Sequence, residues 1–371
     1  MHKAKIAIIG GGLSGLYAAY SLQKRGIWDY VVLEARETLG GRIHTVLPGQ
    51  SPSLKSEVYA TADAFDLGPS WFWPGYQTRL SDVIHELGLK RYPQSETGDM
   101  IVERSRELPV SRMNGYLSSP PSMRITGGMA AVITALQAHL DASRIHTGQL
   151  VTHIQRSEGA VEITSQATTG AITNWSVDQV LLAMPPRLIQ ASIKFTPALP
   201  ATLSHSWKKT ATWMAPHAKY FAVYETPFWR DQGLSGSARS SVGPLVEIHD
   251  ASIPQGSAAL FGFVGVPAAF RRTVHENELR ALCRAQLTHM FGQQAAVPKA
   301  EFFKDWAMDV QTAVAADLVG PGEHAIAPPA SVSCGPWEQC LVGIGSEWSP
   351  HFPGYVAGAI DAVDRGLQLH A

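Results

Sequence analysis

The stretch KIAIIGGGLSGLYAAYSLQKRG, Lys5–Gly26, followed by VVLEAR, Val31–Arg36, decides the fold. Lys5 to Ile9 is a short apolar run suited to a buried parallel strand. Leu13 to Arg25 places Leu16, Ala19, Tyr20 and Leu22 at helical spacing. Between them Gly10, Gly12 and Gly15 stand in GxGxxG register. The first glycine permits the tight turn, the second lets the backbone approach a pyrophosphate, and the third lets helix and strand pack closely. Leu13 and Ser14 open the helix, so free N–H groups and the positive end of the helix dipole would meet the phosphates there. A second strand, Tyr30 to Leu33, ends in Glu34, nineteen residues past Gly15. An acid at about that distance accepts hydrogen bonds from the adenosine ribose. A lone glycine motif is a common turn; one set between strand, helix, strand and acid is a dinucleotide site.

Composition narrows what surrounds that site. With 371 residues the chain is long enough for two or three domains. A 45% hydrophobic and 16% charged composition describes a soluble globular protein. A formal net charge of −1 gives no electrostatic reason to expect nucleic acid or an anionic membrane as partner. Cys283, Cys334 and Cys340 are too few for a disulfide scaffold, and neither a CxxC pair nor an HExxH motif is present, so no metal is expected. The N-terminus enters an apolar strand without the pattern of a signal peptide, and no apolar run reaches the roughly 18 residues of a membrane span. The expected location is cytoplasmic.

Beyond Glu34 the chain reads Ala35, Arg36 and then Gly40, Gly41 and Arg42 within ARETLGGRIHT. This run resembles the two-dinucleotide-binding-domain flavoproteins, in particular the flavin monoamine oxidases. The resemblance implies FAD, with Arg42 and its flanking backbone near the pyrophosphate and flavin; the alternative for Arg42 is a solvated surface arginine. It also implies that Gly68, Pro69, Ser70 and Trp71 in DLGPSWFWPGYQTRL lie against the flavin, although Trp71 and Trp73 can equally be packing aromatics. The stretch from Ser95 to Pro121 reads as polar and irregular, and a helix follows the glycine pair in RITGGMAAVITALQAHL. Two or three alternating strands then turn at Glu158 and Gly159. The family's adenine contact falls on the backbone of Val151, and Ala183 matches a small residue near the cofactor. The C-terminal LVGIGSEWSPHFPGYVAGAIDAVDRGL matches the family's flavin-end signature, which assigns Gly345, Ser346, Glu347, Gly354, Tyr355 and Val356 to the cofactor.

The stretch AKYFAVYETPFW, Ala218–Trp229, carries a lysine inside an apolar strand. Alternation puts Lys219 on one face with Phe221 and Val223, and Tyr220, Ala222 and Tyr224 on the other. By itself this reads as a lysine at a strand's mouth with its head in water. The resemblance reverses that reading, because family members carry a lysine before PFW that reaches toward the flavin, usually through a water. Trp306 matches a tryptophan that packs by the flavin, with a plain core tryptophan as the alternative. Tyr355 matches one wall of an aromatic pair that flanks the amine. The second wall is absent where relatives place it, at Ala316, and the cysteine used for covalent attachment is absent at Ala315. Noncovalent FAD and a half-open cage follow, with Phe352 or Trp348 as substitutes for the missing face and Trp71, Trp73, Phe352 and Tyr355 around the substrate.

The expected fold is α/β, a Rossmann-like FAD-binding domain (1–76, 127–190 and 322–371) with a discontinuous α+β substrate-binding domain (77–126 and 191–321). The expected activity is amine oxidation: hydride transfer from the amine α-carbon to the flavin N5, hydrolysis of the imine to a carbonyl compound, and reoxidation by O2 to hydrogen peroxide, with Lys219 and Tyr355 as catalytic residues. Two alternatives stay open. A related C–C desaturase would be expected to lack the PFW lysine, and a noncatalytic FAD-binding protein would not respond to amines.

Overall fold

The computed structural model describes residues 1–48, 63–157, 159–319 and 326–368. Five parallel strands form the first sheet, in the order Ile145–His146, Tyr30–Leu33, Ile6–Ile9, Gln179–Leu182 and Leu341–Gly343. Its central strands are apolar along their whole length because both faces are covered. Ile8, Val32, Leu181 and Val342 face the helices Leu13–Lys24, Ala130–Ala138 and Val356–Gln368. Ala7, Ile9, Val31, Leu33, Val180 and Leu182 face a second five-stranded sheet through Val151, Ile154, Val161, Ile163 and Trp175. The glycine turn lies at the C-terminal edge of the central strand, where ligands of open parallel sheets bind.

A seven-stranded sheet holds Ala218–Tyr224 near one side, between Ala300–Asp305 and Ala258–Val264. The alternation of that strand is realised. Ala218, Tyr220, Ala222 and Tyr224 join the core under the helix Glu276–Phe291. Phe221 and Val223 pack instead with Val46, Phe65 and Leu67, beside the dinucleotide motif's own chain. Lys219 therefore faces the first sheet's ligand edge.

The structure differs from expectation between Ser95 and Pro121. Asp99–Glu103 and Ser111–Met113 are strands, joined to the large sheet through Leu234–Ser240. Of the polar residues that make this segment look irregular, Ser111 and Arg112 lie on the edge strand, where polar side chains are the norm, whereas Arg104, Ser105, Arg106 and Glu107 fall in the connection and Glu103 is buried in the inner strand. The expected turn residue Glu158 and the boundary between 321 and 322 lie outside the described residues. No helix among the described residues is long and apolar enough to cross a membrane.

Candidate active site

A cavity of about 660 Å³ reaches from the glycine turn to the large sheet. At the glycine turn Gly10, Gly12, Gly40 and Gly41 line it, and these leave only backbone on the wall. Gly10 takes φ +111°, and a Cβ there would meet the Ala183 carbonyl oxygen at 2.7 Å. Gly12, Leu13, Ser14, Ala35, Gly41, Arg42, Val151 and Ala183 all line the space. Gly15 does not; its own Cβ would lie 1.9 Å from the Gly10 carbonyl oxygen, so it sets how closely the helix sits on the turn. The Glu34 carboxylate lines the cavity, accepts from the Gly11 N–H at 2.6 Å and the Arg36 N–H at 2.8 Å, and keeps acceptor positions for other donors. Arg36 also lines the wall and donates to Asp309 and Thr312 at 2.6 and 3.1 Å.

Arg42 joins the two ends of the chain. Its guanidinium pairs with Glu347 and donates to Ser346 Oγ at 3.1 Å, so it is neither free nor merely solvated. Glu347 is 1% exposed and does not line the cavity; it positions Arg42. Gly345 also lies off the wall, whereas Ser346, Gly354, Tyr355 and Val356 reach it.

Lys219 is 4% exposed, which removes the reading of a head held in water. Its ammonium donates to the Gly68 carbonyl at 2.6 Å and Ser70 Oγ at 2.8 Å, and lies 4.7 and 5.1 Å from the rings of Phe261 and Phe263. Burial pushes its pKa down to about 7; the Asp66 carboxylate pulls the other way and the Arg124 guanidinium reinforces the fall. Gly68, Pro69, Ser70, Trp71, Trp73, Lys219 and Trp306 share the cavity wall. Trp306 donates its indole N–H to the Leu67 carbonyl at 3.1 Å, which turns its ring to the wall.

The expected substitutes for the second aromatic wall are elsewhere. Phe352 is half-buried against the helix core, and its carbonyl crowds Gly358. Trp348 packs edge-on against Trp207 at 5.5 Å and donates to Pro329 O. Trp213 instead meets Tyr355, with ring centroids 4.6 Å apart and planes at 48°. Trp73 approaches Tyr355 at 6.5 Å.

Sequence reasoning missed Trp213, Glu247 and His217, which all line the cavity. Cross-strand register could have found Glu247: Lys219 opposes Phe263, which opposes Glu247, in one row across the sheet. Desolvation alone would raise the Glu247 carboxyl, but His249, donating at 2.7 Å, and Arg239 hold it below its ordinary value. Burial, then the Arg271 charge, hold the His217 imidazole below its ordinary value.

These residues fit FAD. The glycine turn leaves a cradle that side chains would fill, the acid beside it keeps acceptor capacity, and the far wall supplies a fixed cation with aromatic surfaces. Residues 110–363 match the family model described as flavin containing amine oxidoreductase, and residues 8–87 match an NAD(P)-binding Rossmann-like domain. The chain belongs to the flavin-containing amine oxidoreductase family. This family implies a flavin cofactor. Among relatives, putrescine oxidase of Kocuria rosea is 28% identical over 62% of this chain and 50% of its own length. The chain thus spans about half the length of relatives of that kind. The flavin-containing amine oxidase B of Sus scrofa is 22% identical over 100% of this chain and 86% of its own. A solved structure from a redesign of cofactor binding in putrescine oxidase superposes with a TM-score of 0.80 at 19% identity, covering 100% of this chain and 99% of that one, which establishes the shared fold.

Proposed function

We infer that the chain is an amine oxidase that holds FAD without a covalent bond and uses O2 as its acceptor. The observation that carries this reading is that Lys219 and Tyr355 both line the cavity that begins at the glycine turn. FAD, when bound, would supply the acceptor for the amine's α-hydrogen as a hydride while the nitrogen gives up a proton, and dioxygen would then take the two electrons and two protons as hydrogen peroxide. Gly10, Gly12, Leu13 and Ser14 would hold its phosphates, Glu34 its ribose, Val151 its adenine, and Arg42, Gly68, Pro69, Ser70, Trp306 and Val356 its flavin end. The division into FAD-binding pieces (1–76, 127–190 and 322–371) and substrate-binding pieces belongs to the same proposal.

Lys219 serves as a fixed positive charge where negative charge accumulates. Its placement by Gly68 O and Ser70 Oγ means that no reorganisation is needed to present it. A cation in the wall also disfavours binding of an ammonium and favours the neutral amine, whose lone pair oxidation requires. Tyr355 and Trp73 offer apolar surface that excludes water from the amine. The Ala315 position offers no thiol for attachment, which supports the noncovalent reading.

The test is anaerobic titration of the purified yellow protein with primary, secondary and polyamines. An amine oxidase is bleached by at least one of them and recovers its colour in air with release of peroxide. A desaturase or a noncatalytic flavoprotein keeps its colour throughout. Acid precipitation should leave the flavin in the supernatant.

A further inference from the structure

We propose that Trp213 is a specificity-determining residue, held against Tyr355 by the positioning pair Asp317 and Arg187, and that it restricts the site to slim, unbranched primary amines. This rests on the amine reading above and names the substrate class within it.

Ala315 and Ala316 do not line the cavity, but Asp317 follows them and is 5% exposed. Its Oδ1 accepts from the Thr212 N–H at 3.1 Å and from Arg187 at 2.5 Å, and its Oδ2 accepts from the Val314 N–H at 3.1 Å. Arg187 also donates to the carbonyls of Lys208, Lys209 and Ala316, at 3.0, 3.1 and 3.3 Å. One buried ion pair thereby ties the chain just before Trp213, the residue next to it, and the segment of the absent wall. Where relatives place an aromatic side chain, this protein places a clamp for an aromatic from another element.

The clamped turn is under strain. Met214 has φ +65°, a left-handed conformation that a non-glycine residue holds only when its surroundings impose it. The Ala215 N–H donates to Thr212 O at 3.0 Å and the His217 N–H to Met214 O at 3.1 Å, which closes the turn around it. On the opposite side, Gly354 takes φ +82°, and a Cβ there would lie 3.1 Å from the Trp213 Cβ. The indole is thus pressed onto the residue that precedes Tyr355.

The contact decides what can enter. Rings 4.6 Å apart are already touching, so no amine fits between them. Trp73 also stands edge-on to Tyr355, at 6.5 Å, so two indoles flank the tyrosine, and bulk on the reacting carbon or on the nitrogen would have to displace one of them. The site is therefore narrow, although Ala316 by itself suggests a wide one.

Calorimetry on the FAD-loaded protein, with n-hexylamine and dicyclohexylamine as probes, tests this without requiring turnover. Wild type should bind n-hexylamine at least tenfold more tightly. Trp213→Ala should reduce that ratio at least tenfold, Trp213→Phe should restore most of it, and Asp317→Asn should shift it partway with FAD content unchanged. If Trp213→Ala does not fold, Trp213→Leu and Asp317→Asn carry the same expectation. A ratio unmoved by these variants, or a wild type without size preference, overturns the proposal. Size-selective binding without peroxide from any amine would sink the oxidase reading and leave this one standing, whereas a yellow wild type that binds neither probe overturns both.

Discussion

The end of the cavity at the glycine turn is walled largely by one run of chain, Ile9 to Ile43, four of whose lining residues are glycines that leave only backbone there; at the proposed substrate end Trp71, Trp213, Lys219, Glu247, Phe263 and Tyr355 come from widely separated segments. Backbone recognition needs glycines at fixed intervals and tolerates little else. Side-chain recognition needs only that the sheet bring certain positions into one row. The first kind of site should therefore fail completely when one atom is added, and the second should change by degrees.

The largest effect is expected inside the glycine motif and separates its two roles. Gly15→Ala drives a methyl to within 1.9 Å of a backbone oxygen that cannot yield, so the fold itself should lose stability by about 3 kcal/mol or more. Gly12→Ala meets nothing closer than 3.7 Å, and its φ of −77° suits alanine. That variant should melt, without cofactor, within about 2 °C of wild type, yet bind FAD about a hundredfold more weakly, because the methyl occupies the approach of the pyrophosphate. Thermal melts and FAD titration of both proteins decide it. Equal FAD affinity in Gly12→Ala and wild type would break the contrast between the two ends.

The next effect, at the substrate end, is electrostatic. Lys219→Met keeps the bulk of the side chain and removes its charge, so FAD should still bind while reoxidation of the dithionite-reduced protein by dioxygen slows about tenfold to a hundredfold. With a lysine pKa near 7, the cation exists below that pH and is lost above it. The wild-type reoxidation rate should fall as pH rises through about 7, and the Met variant should show no such step. The same displacement affects folding: between about 7 and the ordinary value of 10.5 the unfolded chain holds a proton that the native lysine has released. Stability of wild type relative to Lys219→Met should therefore rise with pH across that window. A variant that reoxidises at the wild-type rate at every pH would remove Lys219 from the mechanism.

The same contrast explains what could be read from the chain before its structure. The strand ending at Ile9, the helix from Leu13, the strand ending at Leu33 and the acid at Glu34 are legible because each is a local pattern. The face of Lys219 is also legible, because strand alternation has a fixed period. The row Lys219, Phe263, Glu247 is not, because strand pairing is set by loops and bulges that no short stretch encodes. Trp213 is hidden for a second reason: it sits in a turn, TATWMAPH, whose strained backbone follows no periodic pattern. Phe352 and Trp348 misled because nearness to Tyr355 does not fix where a ring points: the Phe352 carbonyl accepts from the Tyr355 N–H at 3.1 Å, yet both rings serve the core.

The smallest effect is expected at Glu247, and it sharpens the contrast most. A carboxylate some two strand spacings, roughly 10 Å, from Lys219 looks suited to a second ammonium. Yet His249 and Arg239 already engage its two oxygens, so its charge is balanced before any substrate arrives, and an ion pair that is satisfied within the protein gains little from another partner. Glu247→Gln keeps one acceptor and should change KM for simple monoamines and for diamines alike by about threefold or less, with kcat unchanged. A tenfold rise confined to diamines would show that a single charge at this end selects among substrates, so that the side-chain site, like the backbone one, can turn on one atom group.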